Sequence, residues 1–154
     1  MDEGIDRRDA AAPDPRITKF IGRHHVMNIA TATADDGPYC ANVFYAYMAE
    51  SNLFVFTSDE KTRHYREMSA DSRTAATIAL ETRTVGQVQG LQITGNATLA
   101  EGETLSEARG AYLRKFPYAV VADLTLWVLR PSFMKFTDNK LGFGKKLLWH
   151  ADAQ

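Results

Sequence analysis

An antiparallel α+β or barrel-like fold is what the sequence predicts, on three observations. Short alternating or β-branched runs outnumber helical ones, most are joined by brief turn signals, and helical periodicity recurs at only three places. A doubly wound parallel sheet would need a helix between nearly all successive strands, and this chain does not supply them. With 154 residues, 45% apolar and 24% charged, the chain is long enough for one domain around one core.

Met1 to Pro13 mixes acids, arginines and the run Ala10 to Ala12; it buries little and is expected to be a flexible tail, which leaves 14–154 as the domain. Asp14 then reads as an N-cap with Pro15 at the first helical position, and Ile17, Phe20, Ile21 and His24 recur at helical spacing. From Val26 to Ala34 the pattern turns small and β-branched, and Asp35-Asp36-Gly37-Pro38 leads into Tyr39 to Tyr47, which predicts a hairpin. The second arm places Tyr39, Ala41, Val43, Tyr45 and Tyr47 on one face and Cys40, Asn42, Phe44 and Ala46 on the other, both expected to be mostly covered.

A third strand, Leu53 to Thr57, feeds a helical stretch carrying Lys61, Arg63, His64, Tyr65 and Met68. Thr74 to Leu80 predicts a fourth strand and Leu91, Ile93, Ala97 and Leu99 a fifth, with Gly95 marking a bulge or a close backbone approach. Thr104 and Glu107 have capping-box spacing, and Leu105, Ala108, Tyr112 and Phe116 line one helical face until Pro117. Leu126 to Leu129 and Phe133 to Thr137 read as two more strands, followed by an apolar stretch at Leu147, Leu148 and Trp149. The count is six or seven strands and three helices.

Composition narrows function. Eighteen basic against nineteen acidic residues give a net charge of -1, so no overall field draws the chain to nucleic acid or anionic lipid. The single Cys40 cannot close an intrachain disulfide or form a redox pair, and its mid-strand setting predicts a buried structural thiol. There is no apolar run long enough to span a bilayer and no secretion-signal core at the N-terminus, so a reducing, cytoplasmic setting is expected. His24 and His25 are adjacent, His64 and His150 isolated, and no metal-binding spacing is present. Neither a GxSxG elbow nor a nucleotide P-loop occurs.

Chemistry concentrates in Phe56-Thr57-Ser58-Asp59-Glu60-Lys61-Thr62-Arg63-His64. A strand end that delivers hydroxyls, the N–H groups of a helix start and two cations within one turn makes a phosphate-sized anion site. The same spacing also fits Ser58 or Asp59 capping a helix with Lys61 and Arg63 solvated, and Asp59 and Glu60 must point away if an anion is to bind. A second cluster, Lys135 to Lys146, carries Gly142, Gly144 and four lysines; it reads either as a ligand-approaching loop or as a glycine turn with exposed lysines.

The order of elements, Phe56-Thr57-Ser58 followed by Lys61-Thr62-Arg63-His64 and then Gly90-Leu91-Gln92-Ile93-Thr94-Gly95, resembles the pyridoxamine-phosphate-oxidase-like FMN-binding split barrels. Lys135 to Asn139 with Leu141 to Lys146 and Trp149 is similar to the YhbP-like branch of that superfamily, for which no reaction is established. The resemblance implies a six-stranded antiparallel split β-barrel with flanking helices, a homodimer, and FMN at the subunit interface. It places the FMN phosphate on Ser58, Lys61, Thr62 and Arg63, the ring against Ala41, Asn42, Val43 and Phe44, and Gln89 and Gly90 reaching the ring from the partner subunit. It implies a flavin-dependent oxidoreductase acting on a small molecule, with no catalytic residue assigned; the alternative is a non-catalytic flavin- or haem-binding sensing or stress module. The Arg and Trp pattern with which pyridoxamine-phosphate oxidases hold their substrate is not reproduced in Gly142 to His150.

Overall fold

A computed structural model of the chain describes residues 11–152, so most of the expected tail lies outside the described residues. Helix α1 (Pro15–Arg23) forms as its spacing dictates: the Asp14 carboxylate accepts from Arg16 N at 2.9 Å, and Ile17, Phe20 and Ile21 are buried. A hairpin of β1 (Val26–Thr33) and β2 (Gly37–Met48) follows, its turn left through Gly37 at φ +71°. Next come β3 (Leu53–Thr57), α2 (Arg63–Ala70), β4 (Arg73–Ala79), β5 (Gln89–Leu99), α3 (Gly102–Lys115), β6 (Leu126–Asp138) and β7 (Lys146–His150).

All pairings are antiparallel, in the order β3-β2-β1-β4-β5-β6-β7, and β3 also pairs with β6. Six strands therefore close into a ring, consistent with the split barrel, and β7 lies outside it as a seventh, within the six or seven strands counted from the sequence. The segments read as two strands, Leu126 to Leu129 and Phe133 to Thr137, are one continuous β6. What joins them is a bulge: Gly95 faces Pro131 and Thr94 faces Phe133, so Ser132 is the unpaired extra residue. Before the bulge, Leu126 to Leu129 pair with β3; after it, Phe133 to Thr137 pair with β7. The bend lets β3 and β7 share one edge of β6 in succession.

Gly95 is required there. A Cβ at this position would stand 2.1 Å from the Arg130 carbonyl oxygen, so the expected close approach and the expected bulge coincide. The Thr104 capping box does not form: Gly102, at φ +57°, turns the chain directly into α3, and Thr104 lies inside the helix.

The ring interior holds Tyr45, Phe54, Phe56, Trp127 and Phe136, closed by Ile17 and Ile21 of α1 and Met68 of α2. On the outside, Ala46, Val55 and Val128 pack beneath Ala108, Ala111 and Tyr112 of α3. Because α3 covers only the last part of β2, the outward face of its first part stays open: Asn42 and Cys40 are exposed and Phe44 is 57% exposed. Both the expected cover on that face and the expected buried thiol at Cys40 are thus corrected. The open face continues sideways through Asn28, Thr77 and Gln92, which lie in register with Asn42. None of the helices in the described residues is long and apolar enough to cross a membrane.

Candidate functional site

The densest polar cluster lies where β3 ends and α2 begins. The Ser58 N–H donates to the Thr125 carbonyl at 3.1 Å, which carries Ser58 into the interior at 2% exposure. The following turn is closed by Asp59: its carboxylate accepts from Lys61 N at 2.8 Å, and its carbonyl accepts from Thr62 N at 2.9 Å and from the Thr62 hydroxyl at 2.7 Å. Asp59 is thereby turned onto its own backbone. Neither Ser58 nor Asp59 caps the helix; Thr62 does, accepting from Tyr65 N at 3.3 Å.

Two hydroxyls converge on one imidazole nitrogen. Ser58 Oγ stands 2.5 Å from His64 Nδ1, Thr62 Oγ1 stands 3.3 Å from the same atom, and the two oxygens are 3.4 Å apart. Burial pushes the His64 pKa down, so the ring is neutral near pH 7.

Arg63 is held from three sides. Its Nε donates to the Glu67 carboxylate one turn along α2, its Nη2 donates to the Asp36 carbonyl at 3.1 Å, and its guanidinium lies 4.4 Å from the centre of the Tyr39 ring. The hydrogen bond from Arg63 lowers the Glu67 pKa, which keeps the carboxylate ionised although Glu67 is 1% exposed. Glu67 Oε2 and Thr31 Oγ1 are both buried, and the Thr31 hydroxyl beside the carboxylate also lowers its pKa, less than Arg63 does. Since a guanidinium carries five N–H donors, the Glu67 and Asp36 contacts leave its Nη1 edge for an anion. Lys61, two residues earlier in the chain, is exposed.

The candidates Ser58, Lys61, Thr62 and Arg63 share one turn, and the Arg63–Tyr39 contact ties that turn to the first half of β2, two residues before Ala41. Within β2, Val43 is buried, Ala41 is partly covered, and Asn42 and Phe44 face outward. Gln89 and Gly90 are not brought to the cluster within one chain. They open β5, two strands away from β2, where Gln89 Nε2 donates to Asp138 at 3.0 Å and Gly90 pairs with Ala79 and Thr137. A shallow groove of about 470 Å³ crosses the open sheet face over Ala30, Ala75, Thr94 and Gly95. Among the described residues no three acidic, histidine or cysteine side chains are grouped to hold a metal.

Sequence reasoning missed Tyr39, Asp36 and Glu67 as parts of the site, and it did not assign His64 to it. The i, i+4 spacing of Arg63 and Glu67 was a legible signal. The contacts from the hairpin turn have no counterpart in linear spacing.

A family model described as pyridoxamine 5'-phosphate oxidase matches residues 13–137. This chain belongs to that family. It is 37% identical over 138 residues to the UPF0306 protein YhbP of Salmonella arizonae, covering 89% of this chain and 92% of the relative, which places it with the YhbP-like branch. Among solved structures, a heme binding protein from Mycobacterium smegmatis superposes with a TM-score of 0.73 at 22% identity, over 86% of this chain and 55% of that one. This chain therefore spans little more than half the length of that neighbour. An FAD-binding protein from Mesorhizobium loti superposes with a TM-score of 0.62 at 16% identity, over 79% of this chain and 89% of that one. These likenesses establish the fold, and the family's neighbours carry more than one kind of cofactor in their names.

Proposed function

We propose that this protein binds FMN and works as a flavin-dependent oxidoreductase on a small molecule. The observation that carries the reading is that Lys61 and Arg63, the latter with its Nη1 edge unengaged, flank the Thr62 cap at the start of α2, whose hydroxyl stands 3.4 Å from that of the buried Ser58. The donor set fits a phosphate: compact cations and the N–H groups of a helix start, with the nearby carboxylates of Asp59 and Glu67 already committed to Lys61 N and Arg63. In this reading the first half of β2, Ala41 to Phe44, carries the flavin ring.

A second copy of the chain completes the site. The exposed row of Asn42, Asn28, Thr77 and Gln92, flanked by Phe44 at 57% and Val26 at 45% exposure, supports a sheet-to-sheet homodimer in which Gln89 and Gly90 of the other copy reach the ring. When bound, the flavin supplies electron transfer from a reduced donor, such as a nicotinamide nucleotide, to a small acceptor. The chain's own residues anchor the phosphate and orient the ring.

Absorbance of the purified protein, followed by titration with FMN, tests the reading. A flavin spectrum or saturable FMN binding is the expected result, and NADH or NADPH turnover with flavin bound separates an enzyme from a passive carrier. A Soret band with no flavin uptake would favour the haem-binding alternative, and a colourless protein that binds neither would remove both.

A further inference from the structure

We propose that His64 is a ligand of the phosphate at this site, presented through Nε2–H because Ser58 holds Nδ1, and that phosphate binding draws a proton onto the ring. The inference rests on the FMN reading above and deepens it. It follows from counting hydrogens. The Thr62 hydroxyl proton goes to the Asp59 carbonyl at 2.7 Å, so Thr62 Oγ1 has none to give to His64 and serves as an acceptor for Tyr65 N. Ser58 lies at 2.5 Å from Nδ1 and carries the one hydroxyl proton left for it. Neutral His64 is then protonated at Nε2. That atom has no protein partner and is not among the sealed, unsatisfied groups of the described residues, so it is a donor open to a ligand.

The cluster also accommodates the protonated ring. Nδ1–H then donates to Ser58 Oγ, and the Ser58 proton turns to Thr62 Oγ1, 3.4 Å away, whose second lone pair is available. The proton comes from solvent: an O–H bond of a hydronium ion breaks as the Nδ1–H bond forms, and no bond between heavy atoms changes. Facing the ring are Ser58 of the β3 end and Thr62 of the cap, and burial is the cause of its lowered pKa. Lys61 and Arg63 are its charged chain neighbours, the latter tied to Glu67, and Asp59 is bonded to Lys61 N. With no carboxylate already paired to the ring, an incoming phosphate is the group that stabilises the imidazolium.

The test is an NMR pH titration of the His64 ring in the full-length protein, assigned by comparison with a His64→Gln variant, with no ligand, with FMN, and with riboflavin, which has the same ring system but no phosphate. FMN is expected to raise the His64 pKa by about one unit, a tenfold gain in proton affinity, while riboflavin leaves it in place. If FMN binds and the His64 pKa is unmoved, or moves equally with riboflavin, the inference is overturned while the FMN site stands. If FMN does not bind at all, as read by flavin fluorescence in the same samples, both fall together.

Discussion

Replacing Gly95 with alanine strikes the point where the sheet divides. The added methyl carbon would stand 2.1 Å from the Arg130 carbonyl oxygen and 2.9 Å from the Arg130 carbonyl carbon and the Pro131 Cα, all of them backbone atoms with no rotamer to change. Restoring an ordinary contact requires β5 and β6 to part by more than about 1 Å, a large fraction of the slack in a ladder whose strands lie about 4.8 Å apart. Overpacking alone costs about 1–3 kcal/mol. Loss of roughly two ladder hydrogen bonds beside the bulge adds about 1 kcal/mol each. A loss of about 3–5 kcal/mol is therefore expected, which for a domain of this size lowers Tm by roughly 10 °C or more. The measurement is urea denaturation followed by far-UV circular dichroism and by fluorescence, since Trp127 is buried in the ring. Gly86→Ala is the control, because a Cβ there meets nothing within 4 Å; it should stay within about 0.5 kcal/mol of wild type. A Gly95→Ala protein as stable as the control would refute the account of how β6 passes from β3 to β7.

The double variant Lys61→Ala/Arg63→Ala should weaken FMN binding at least tenfold by fluorescence titration; unchanged affinity would remove the proposed phosphate mouth. Arg63→Ala should also lower the melting temperature, because it strands the buried Glu67 carboxylate, and adding Glu67→Gln should recover part of the loss; equal melting of the two variants would contradict the clamp. Lys115, which donates to the His24 carbonyl and lies 4.3 Å from the Tyr45 ring centre, has its pKa pushed down to about 8 by burial. Its unfolded form keeps the proton up to about pH 10.4, so this group makes stability rise as pH climbs from about 8 to about 10. Lys115→Met should flatten that rise in urea titrations at several pH values, and an identical slope would show that the group is not linked to folding. Phe44→Asp should shift the protein to a monomer in sedimentation analysis if the open sheet face joins two copies; a monomeric wild type would remove the interface, and a variant that still dimerises would place it elsewhere.

Local rules were sufficient wherever one segment's own pattern decided the outcome. Asp14-Pro15 sets the start of α1, Asp36-Gly37 the hairpin turn, and the boundaries of β3 coincide with the apolar run Leu53 to Thr57. Gly95 was readable as a close approach because a lone glycine among alternating apolar residues has few other uses in a strand. The patterns failed where a neighbour intervened. The stretch from Arg130 to Ser132 separates two strand-like runs in the sequence, yet the bulge at Ser132 lets one ladder run through both. Cys40 looked buried because a strand's periodicity gives its two faces without saying which one a helix will cover.

The anion site divides along the same line. The chain's order alone put a hydroxyl, a helix start, Lys61 and Arg63 within one short segment, since chain neighbours cannot be far apart in space. Which groups they answer to was settled only by folding: the hairpin turn brings Asp36 and Tyr39 to Arg63, and the Thr125 carbonyl draws Ser58 inward beneath His64. Those partners lie 24 to 67 residues away along the chain, and separations of that size are closed by strand pairing and core burial, which no local spacing encodes.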